Sequence, residues 1–231
     1  MKNYKISYDI NMNFICSSLI SSIYIRIYYR IHKTQGKNKM NKNKIPPKAY
    51  LFPMPVVLIG ANVNGKPNFE PLAYVCIVEN QPPLISIASW ETHYTNIGIN
   101  ENKTFSVNTP TENLAEKIDY CGIVSGKEED KSKVFDVFYG DLKTAPMVSA
   151  SPLNLECEVI KTFKTRELVE IEEGHEIFIG KVVNAYADEA YLTEGIPNIA
   201  KLKSYTYSQN NYWKVGENLA PAFEIGKKYE K

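Results

Sequence analysis

Histidine is scarce in this chain, three in 231 residues, and the four cysteines, Cys16, Cys76, Cys121 and Cys157, form no C-x-x-C pair and stand at no short spacing to a histidine. Zinc needs such clusters, so no metal site is expected, and free thiols in a reducing cytoplasm are the simplest reading. Net charge is nearly absent as well, at +1, but unevenly spread. Residues 1–48 hold ten Lys and Arg against Asp9 alone, which leaves 17 basic and 25 acidic side chains in residues 49–231. A mildly acidic body argues against nucleic acid as a main partner. G-x-S-x-G, H-E-x-x-H, G-x-G-x-x-G and Walker A patterns are all missing. Their absence sets aside a dinucleotide-binding Rossmann domain and the hydrolases that carry such motifs.

Long hydrophobic runs are also lacking. Phe14 to Ile25 (FICSSLISSIYI) follows Lys2 and Lys5 as a signal sequence would, yet Arg26 and Arg30 stop it short of the roughly 20 residues that a spanning helix needs. No small-residue cleavage site follows. Three readings of residues 1–39 stand: translation from a start upstream of a natural Met40, a weak signal or anchor, or an accessory segment. Residues 1–45 are therefore expected to be an N-terminal extension and 46–231 the domain, with a membrane role disfavoured.

What the domain does have is 44% apolar side chains across the chain, enough for a sizeable core. From Pro55 the pattern is strand-dominated. Pro55 to Asn62 and Asn68 to Val78 flank Asn64-Gly65, a strong hairpin signal because both residues tolerate positive φ. Pro71 cannot donate to a ladder, so its strand is expected at an edge or at a bulge. Further strands are expected over Leu84–Ser89, Thr104–Asn108, Asn154–Thr165, His175–Ala187, Ser204–Ser208 and Tyr212–Val215. Tyr94–Asn102 reads as a helix capped by Thr92 or Thr95, and Thr111–Tyr120 as a second capped by Thr111. The charged loop Gly122–Lys133 reads as opening a third. Many short antiparallel strands with two or three helices inserted predict an α+β, mainly β barrel.

One polar stretch interrupts this pattern. Ser89 to Thr95 (SWETHYT) sets hydroxyls and an imidazole at a strand-to-helix junction, where free backbone N–H groups and the helix dipole suit a phosphate. Simple helix capping is the alternative for each of these residues. His175 opens a strand and is either structural or a donor facing a ligand ring. Tyr74, Trp90, Tyr94, Tyr205, Tyr207, Tyr212 and Trp213 supply aromatic surface for packing or for a flat ligand. Lys131 is by default a solvated charge, and a counter-ion if a phosphate lies beside it.

Several landmarks together resemble a known family: LFPMPVVLIG (51–60), NGKPNFEPLAYV (64–75), PPLISIA (82–88), HYTNIGINENKTFSVNTP (93–110), DYCGIVSGKEEDKS (119–132), PLNLECEV (152–159), GHEIFIGKVVNAYAD (174–188) and YWKVGENLAPAFEIGK (212–227). Residues 46–227 are similar to the flavin reductase-like proteins of the FMN-binding split-barrel fold, most closely the flavoredoxin branch. The resemblance implies an antiparallel Greek-key split barrel, a homodimer, and FMN held noncovalently near the dimer interface. It implies a phosphate end at Ser89, Thr92, His93 and Thr95 with Lys131 as counter-charge. Asn68, Leu72, Ala73 and Tyr74 would run along the isoalloxazine, with Tyr205 a further cofactor contact and His175 the catalytic histidine beside the ring. Pro71 departs from the Thr or small polar residue common in relatives, and Trp90 and Glu91 from a basic pair that some carry near the phosphate. The activity implied is electron transfer from NADH or NADPH through FMN to a small-molecule or protein acceptor. An FMN carrier reduced by a partner protein and a flavin-binding protein without turnover are the alternatives.

Overall fold

The computed structural model describes residues 41–229, so the expectations for residues 1–39 lie outside it. The chain falls into two units, residues 1–49 and 50–231. Of the first, residues 41–49 are exposed and without regular structure. The second is built from strands β1 (Met54–Pro55), β2 (Val57–Val63), β3 (Lys66–Leu72), β4 (Val75–Asn80), β5 (Pro83–Trp90) and β6 (Thr104–Thr109). After these come β7 (Val137–Phe138), β8 (Met147–Val148), β9 (Leu153–Lys164), β10 (His175–Ala187), β11 (Leu192–Thr193), β12 (Ile196–Pro197), β13 (Tyr205–Ser208) and β14 (Asn211–Lys214). Three α-helices, α1 (Tyr94–Asn102), α2 (Ala115–Ile123) and the one-turn α3 (Ile199–Leu202), complete it.

Seven strands form one antiparallel sheet in the order β3-β2-β6-β9-β10-β5-β4. Its two edge strands, β3 and β4, are consecutive in the chain, joined only by Ala73 and Tyr74. Two linking residues let Leu72 and Val75 stand at most ~11 Å apart, whereas a flat sheet of this width would hold its edges ~29 Å apart. The sheet must therefore curl until the ends of its two edge strands come together at this corner, giving a split barrel with a Greek-key strand order. The sequence pattern predicts one strand over Asn68–Val78, and the structure divides it between β3 and β4. The break falls at Ala73-Tyr74 because the chain there leaves one edge of the sheet and joins the other. Pro71 sits on β3, an edge, as a proline in a ladder requires.

Period-two alternation on β2 decides which core each residue enters. Val57, Ile59 and Ala61 join Ile87, Ile99, Phe105 and Phe178 in one cluster. Val56 and Leu58 face a second cluster with Phe69, Leu114, Ile118, Phe135 and Tyr205 under α2. Buried on both faces, β2 reads as the continuous apolar run VVLIGA. The expected turn at Asn64-Gly65 is present, with φ of 51° and 76°, and pairs Val63 with Lys66.

Helix α1 has the expected bounds, but His93 holds its cap position and no side chain caps it. Thr111 precedes a 3₁₀ turn, Glu112–Leu114, rather than the helix itself. The loop after α2 forms only a 3₁₀ turn, Lys131–Lys133, because the Asp130 carboxylate accepts the Ser132 N–H at 3.1 Å and closes the segment locally.

Gly98 sets how closely α1 lies on β2. A Cβ there would stand 2.1 Å from the Asn62 carbonyl oxygen, which also accepts a 2.9 Å bond from Asn102 Nδ2. Gly98→Ala gains about 1 kcal/mol of helix propensity but forces the helix off the strand, an overpacking cost of roughly 3 kcal/mol. Thermal denaturation should show Tm lowered by about 5 °C. A Tm that is unchanged or raised would mean that the packing is looser than this.

Candidate functional site

Residues alternate across β3, so Asn68 and Glu70 share a face and both reach the start of α1. Asn68 Nδ2 donates to Thr95 Oγ1 at 2.8 Å, and Glu70 Oε2 lies 3.0 Å from His93 Nδ1. Asn68, Glu70 and Thr95 are buried, whereas the His93 side chain is about half exposed. Ser89 is buried at the end of β5, its Oγ 3.3 Å from the same His93 nitrogen. The first N–H groups of a helix have no intrahelical acceptor, which leaves those of Tyr94 and Thr95 available beside these side chains.

Lys131 is not the solvated charge its loop suggests. Only 6% exposed, it donates from Nζ to Phe69 O on β3 at 3.0 Å and to Cys121 O on α2 at 2.7 Å. Burial pushes its pKa below the usual lysine range, offset in part by Cys121 and Glu70. The Cys121 thiol is pushed up to about 11 by burial, so it is not a nucleophile at neutral pH. His93 moves the other way. Its hydrogen bond to Glu70 raises its pKa against the opposing effects of burial and of the Lys131 charge.

These groups border a cleft of about 360 Å³ whose wall runs from Glu70 and Pro71 past Thr92, His93, Tyr94 and Thr95 to the loop Gly122–Gly126 and Lys131. Gly126 brings that loop against the strand, since a Cβ there would lie 2.0 Å from Asn68 Oδ1 and 2.7 Å from the Tyr94 ring. Beyond Pro71 a second recess of about 200 Å³ is bordered by Val56, Leu72, Ala73, Tyr207 and Tyr212.

His175 begins β10 opposite Trp90, its backbone N–H held by Thr165 Oγ1 at 2.9 Å. Its ring meets Trp90 edge-on at 5.0 Å and Tyr74 at 5.3 Å. Burial, and then the nearby His93 charge, lower its pKa, so a neutral imidazole is favoured. Glu91 does not confront an anion bare. One of its oxygens stands 3.2 Å from both Lys164 and Arg166.

Of the residues singled out in the sequence, Asn68, Ser89, Thr92, His93, Thr95 and Lys131 are thus brought together, with Leu72 and Ala73 at the adjoining recess and Tyr74 beside His175. Tyr205 is not among them. It lies 4% exposed in the cluster under α2, with its ring 5.3 Å from Tyr212. Glu70 was missed, although its spacing of two from Asn68 places both on one face of β3. Among the described residues no group of His, Cys, Asp and Glu could hold a metal ion. No described helix is long and apolar enough to cross a membrane.

A family model described as the flavin reductase like domain matches residues 49–215. Among solved structures, a flavoredoxin from Methanosarcina acetivorans is 43% identical with a TM-score of 0.75, the match covering 81% of this chain and 98% of that one. The flavoredoxin of Desulfovibrio vulgaris (Miyazaki F) is 29% identical, with a TM-score of 0.72 over 80% of this chain and 100% of its own. An FMN-binding protein from Thermus thermophilus, solved with 1-cyclohex-2-enone, is 21% identical with a TM-score of 0.64 over 80% and 99% of the two chains, a likeness of fold. The split-barrel expectation is borne out by these matches.

Proposed function

Because the chain belongs to the flavin reductase like domain family, we propose that it is an FMN-binding oxidoreductase of the flavin reductase or flavoredoxin type, carrying electrons from NADH or NADPH to a small-molecule or protein acceptor. The observation that supports this best is the convergence of His93, Lys131 and the free N–H groups of α1 on one cleft. Cationic donors at a helix N-terminus suit a phosphate. The buried Glu70 Oε1, which has no partner among the described residues, suits a hydroxyl donor such as a ribityl chain carries. The residues present therefore fit FMN.

In this reading Thr92, His93 and Thr95 hold the phosphate end, with Lys131 as the charge behind it. Pro71 to Tyr74 border the ring. Pro71 offers it no N–H, and Ala73 and Tyr74 stand in the sheet break, where only the Tyr74 carbonyl is tied back, to Ala88 N at 2.9 Å. FMN, when bound, supplies the hydride-accepting and electron-passing chemistry. A neutral His175, locked between Trp90 and Tyr74, orients the incoming nicotinamide or donates a hydrogen bond at the ring.

Homodimerisation belongs to the same proposal. The edge strand β4 is exposed along most of its length, Ile77 to 73% and Val78 to 48%, and continues from Tyr74. An unpaired apolar edge of this kind calls for a second chain. The free thiols of Cys76, Cys121 and Cys157 suit a reducing cytoplasm.

Absorption spectra of the purified protein with FMN, before and after anaerobic NADH and then NADPH, test the assignment. Rapid bleaching of the flavin band is the expected result. A band that stays would turn the assignment to an electron carrier reduced by a partner protein, and a protein that FMN cannot reconstitute would overturn it. His175→Ala should keep FMN and lower steady-state turnover about tenfold, the loss of one orienting hydrogen bond. Unchanged turnover would remove His175 from the mechanism.

A further inference from the structure

Glu70, Glu156 and Glu176 are the buried carboxylates among the described residues, and of these Glu70 alone has an oxygen without a partner. The partly exposed Glu91 also leaves Oε1 unpartnered, but its charge is met by Lys164 and Arg166 at Oε2. Glu156 accepts from Asp141 N, Leu142 N, Asn184 Nδ2 and Tyr186 OH. Glu176 accepts from Asn100 Nδ2 through both oxygens, at 3.0 Å each. Glu70, 5% exposed, borders the cleft, uses Oε2 on His93 and leaves Oε1 buried without a partner among the described residues. A buried carboxylate oxygen is rarely left unmatched, and on a residue that borders a cleft the missing donor can come from a ligand.

We propose that Glu70 is a positioning residue for the anionic end of the ligand, holding His93 through Nδ1 so that Nε2–H faces the anion, while its second oxygen accepts a hydroxyl of the same ligand. The proposal rests on the FMN reading. It adds that the site recognises a phosphate next to a polyol, through a carboxylate-histidine pair that makes the preference for phosphate depend on pH.

The pair behaves as a carboxylate does behind any working imidazole: it fixes the tautomer and ring direction and stabilises the imidazolium. Other titratable groups face His93 from each element packed on it. Glu70 of β3 favours its charge, Lys131 of the 3₁₀ turn opposes it, and His175 of β10 is itself turned toward the neutral form by burial and by the His93 charge. Because Glu70 raises the His93 pKa, the imidazolium persists above the ordinary histidine range and is lost as pH rises through the raised value. A phosphate ester becomes a dianion above pH ~6. Affinity for the phosphate form should therefore hold across neutral pH and fall on the alkaline side.

Glu70→Gln keeps the shape and removes the charge. Its neutral side chain no longer favours the imidazolium, so His93 deprotonates in or below the ordinary histidine range. Dissociation constants for FMN and riboflavin, measured by fluorescence from pH 5.5 to 9, separate the outcomes. The single amide oxygen cannot serve both His93 and a ligand hydroxyl, so the variant should bind both flavins more weakly, with the same FMN-to-riboflavin affinity ratio as wild type at the acid end. At pH 7.5 that ratio should be about tenfold lower in the variant than in wild type. An FMN-to-riboflavin ratio whose pH profile is the same in both proteins would overturn the proposal. NMR titration of His93 in the two proteins, without flavin and then with inorganic phosphate, reads the pair independently. If wild type binds neither flavin, the FMN reading fails. The pair then stands only if Glu70→Gln lowers the His93 titration midpoint and the phosphate-induced shift, and it falls if neither changes.

Discussion

Replacing Lys131 with methionine should weaken FMN binding about 30-fold. The side chain is almost wholly buried, borders the cleft, and is fixed by Phe69 O and Cys121 O, so its charge cannot swing away. A fixed cation acting on a phosphate dianion through an effective dielectric near 20 is worth several kcal/mol before salt and the neighbouring carboxylate reduce it to about 2. Two kcal/mol is roughly 30-fold in a dissociation constant. Methionine fills the space of the lysine stem as far as Cε, but two carbonyls lose a charged donor and stability should fall by about 2 kcal/mol as well. Fluorescence titration with FMN, at a temperature where far-UV circular dichroism shows the variant folded, checks the first effect. Lys131→Arg, which keeps the charge, should recover most of the affinity. Equal binding by Lys131→Met and wild type would place the phosphate elsewhere.

Lys131 also shows where sequence reading stops. Its loop, SGKEEDKSK, is charged throughout and predicts solvent exposure, yet one of its lysines turns inward because β3 and α2 each present a carbonyl there. Such a pairing links residues 62 positions apart and leaves no local trace. Features with local causes were legible. The Asn64-Gly65 hairpin follows from tolerance of positive φ, and α1 and the period-two strand β10 have the bounds their patterns predict. The break at Ala73-Tyr74 was not, because residues on both sides are equally extended and only long-range pairing decides which edge each joins.

The cap of α1 shows the same limit within the site. Thr92 and Thr95 both have the chemistry of an N-cap. In the fold, Asn68 takes the Thr95 hydroxyl and Glu70 takes the His93 ring, so the helix end keeps its N–H groups free. The polar cluster at Ser89–Thr95 was visible in the sequence, but its organisation by two residues of β3 was not. His93 is therefore tied to a carboxylate rather than simply placed near a phosphate.

Glu156→Ala carries the largest stability effect, and it separates a structural carboxylate from Glu70. Glu156 is wholly buried on β9, and its four donors tie the Gly140–Leu142 segment and β10 to that strand. Removing it leaves two backbone N–H groups, an amide and a phenol without their acceptor and opens a void. Each unmatched donor costs about 1 kcal/mol or more, so a loss of about 4 kcal/mol is expected. Urea denaturation followed by circular dichroism should show the midpoint lowered by about 1.5 M with little change in slope. Glu156→Gln should fall between, because an amide can turn only one oxygen toward donors on both sides. FMN affinity of either variant, measured well below its unfolding midpoint, should match wild type, since none of the four donors borders the cleft. Weakened FMN binding in the folded Glu156→Ala protein would mean that β9 and β10 transmit strain to His175. The difference between the satisfied Glu156 and the unsatisfied Glu70 would then lose its functional meaning.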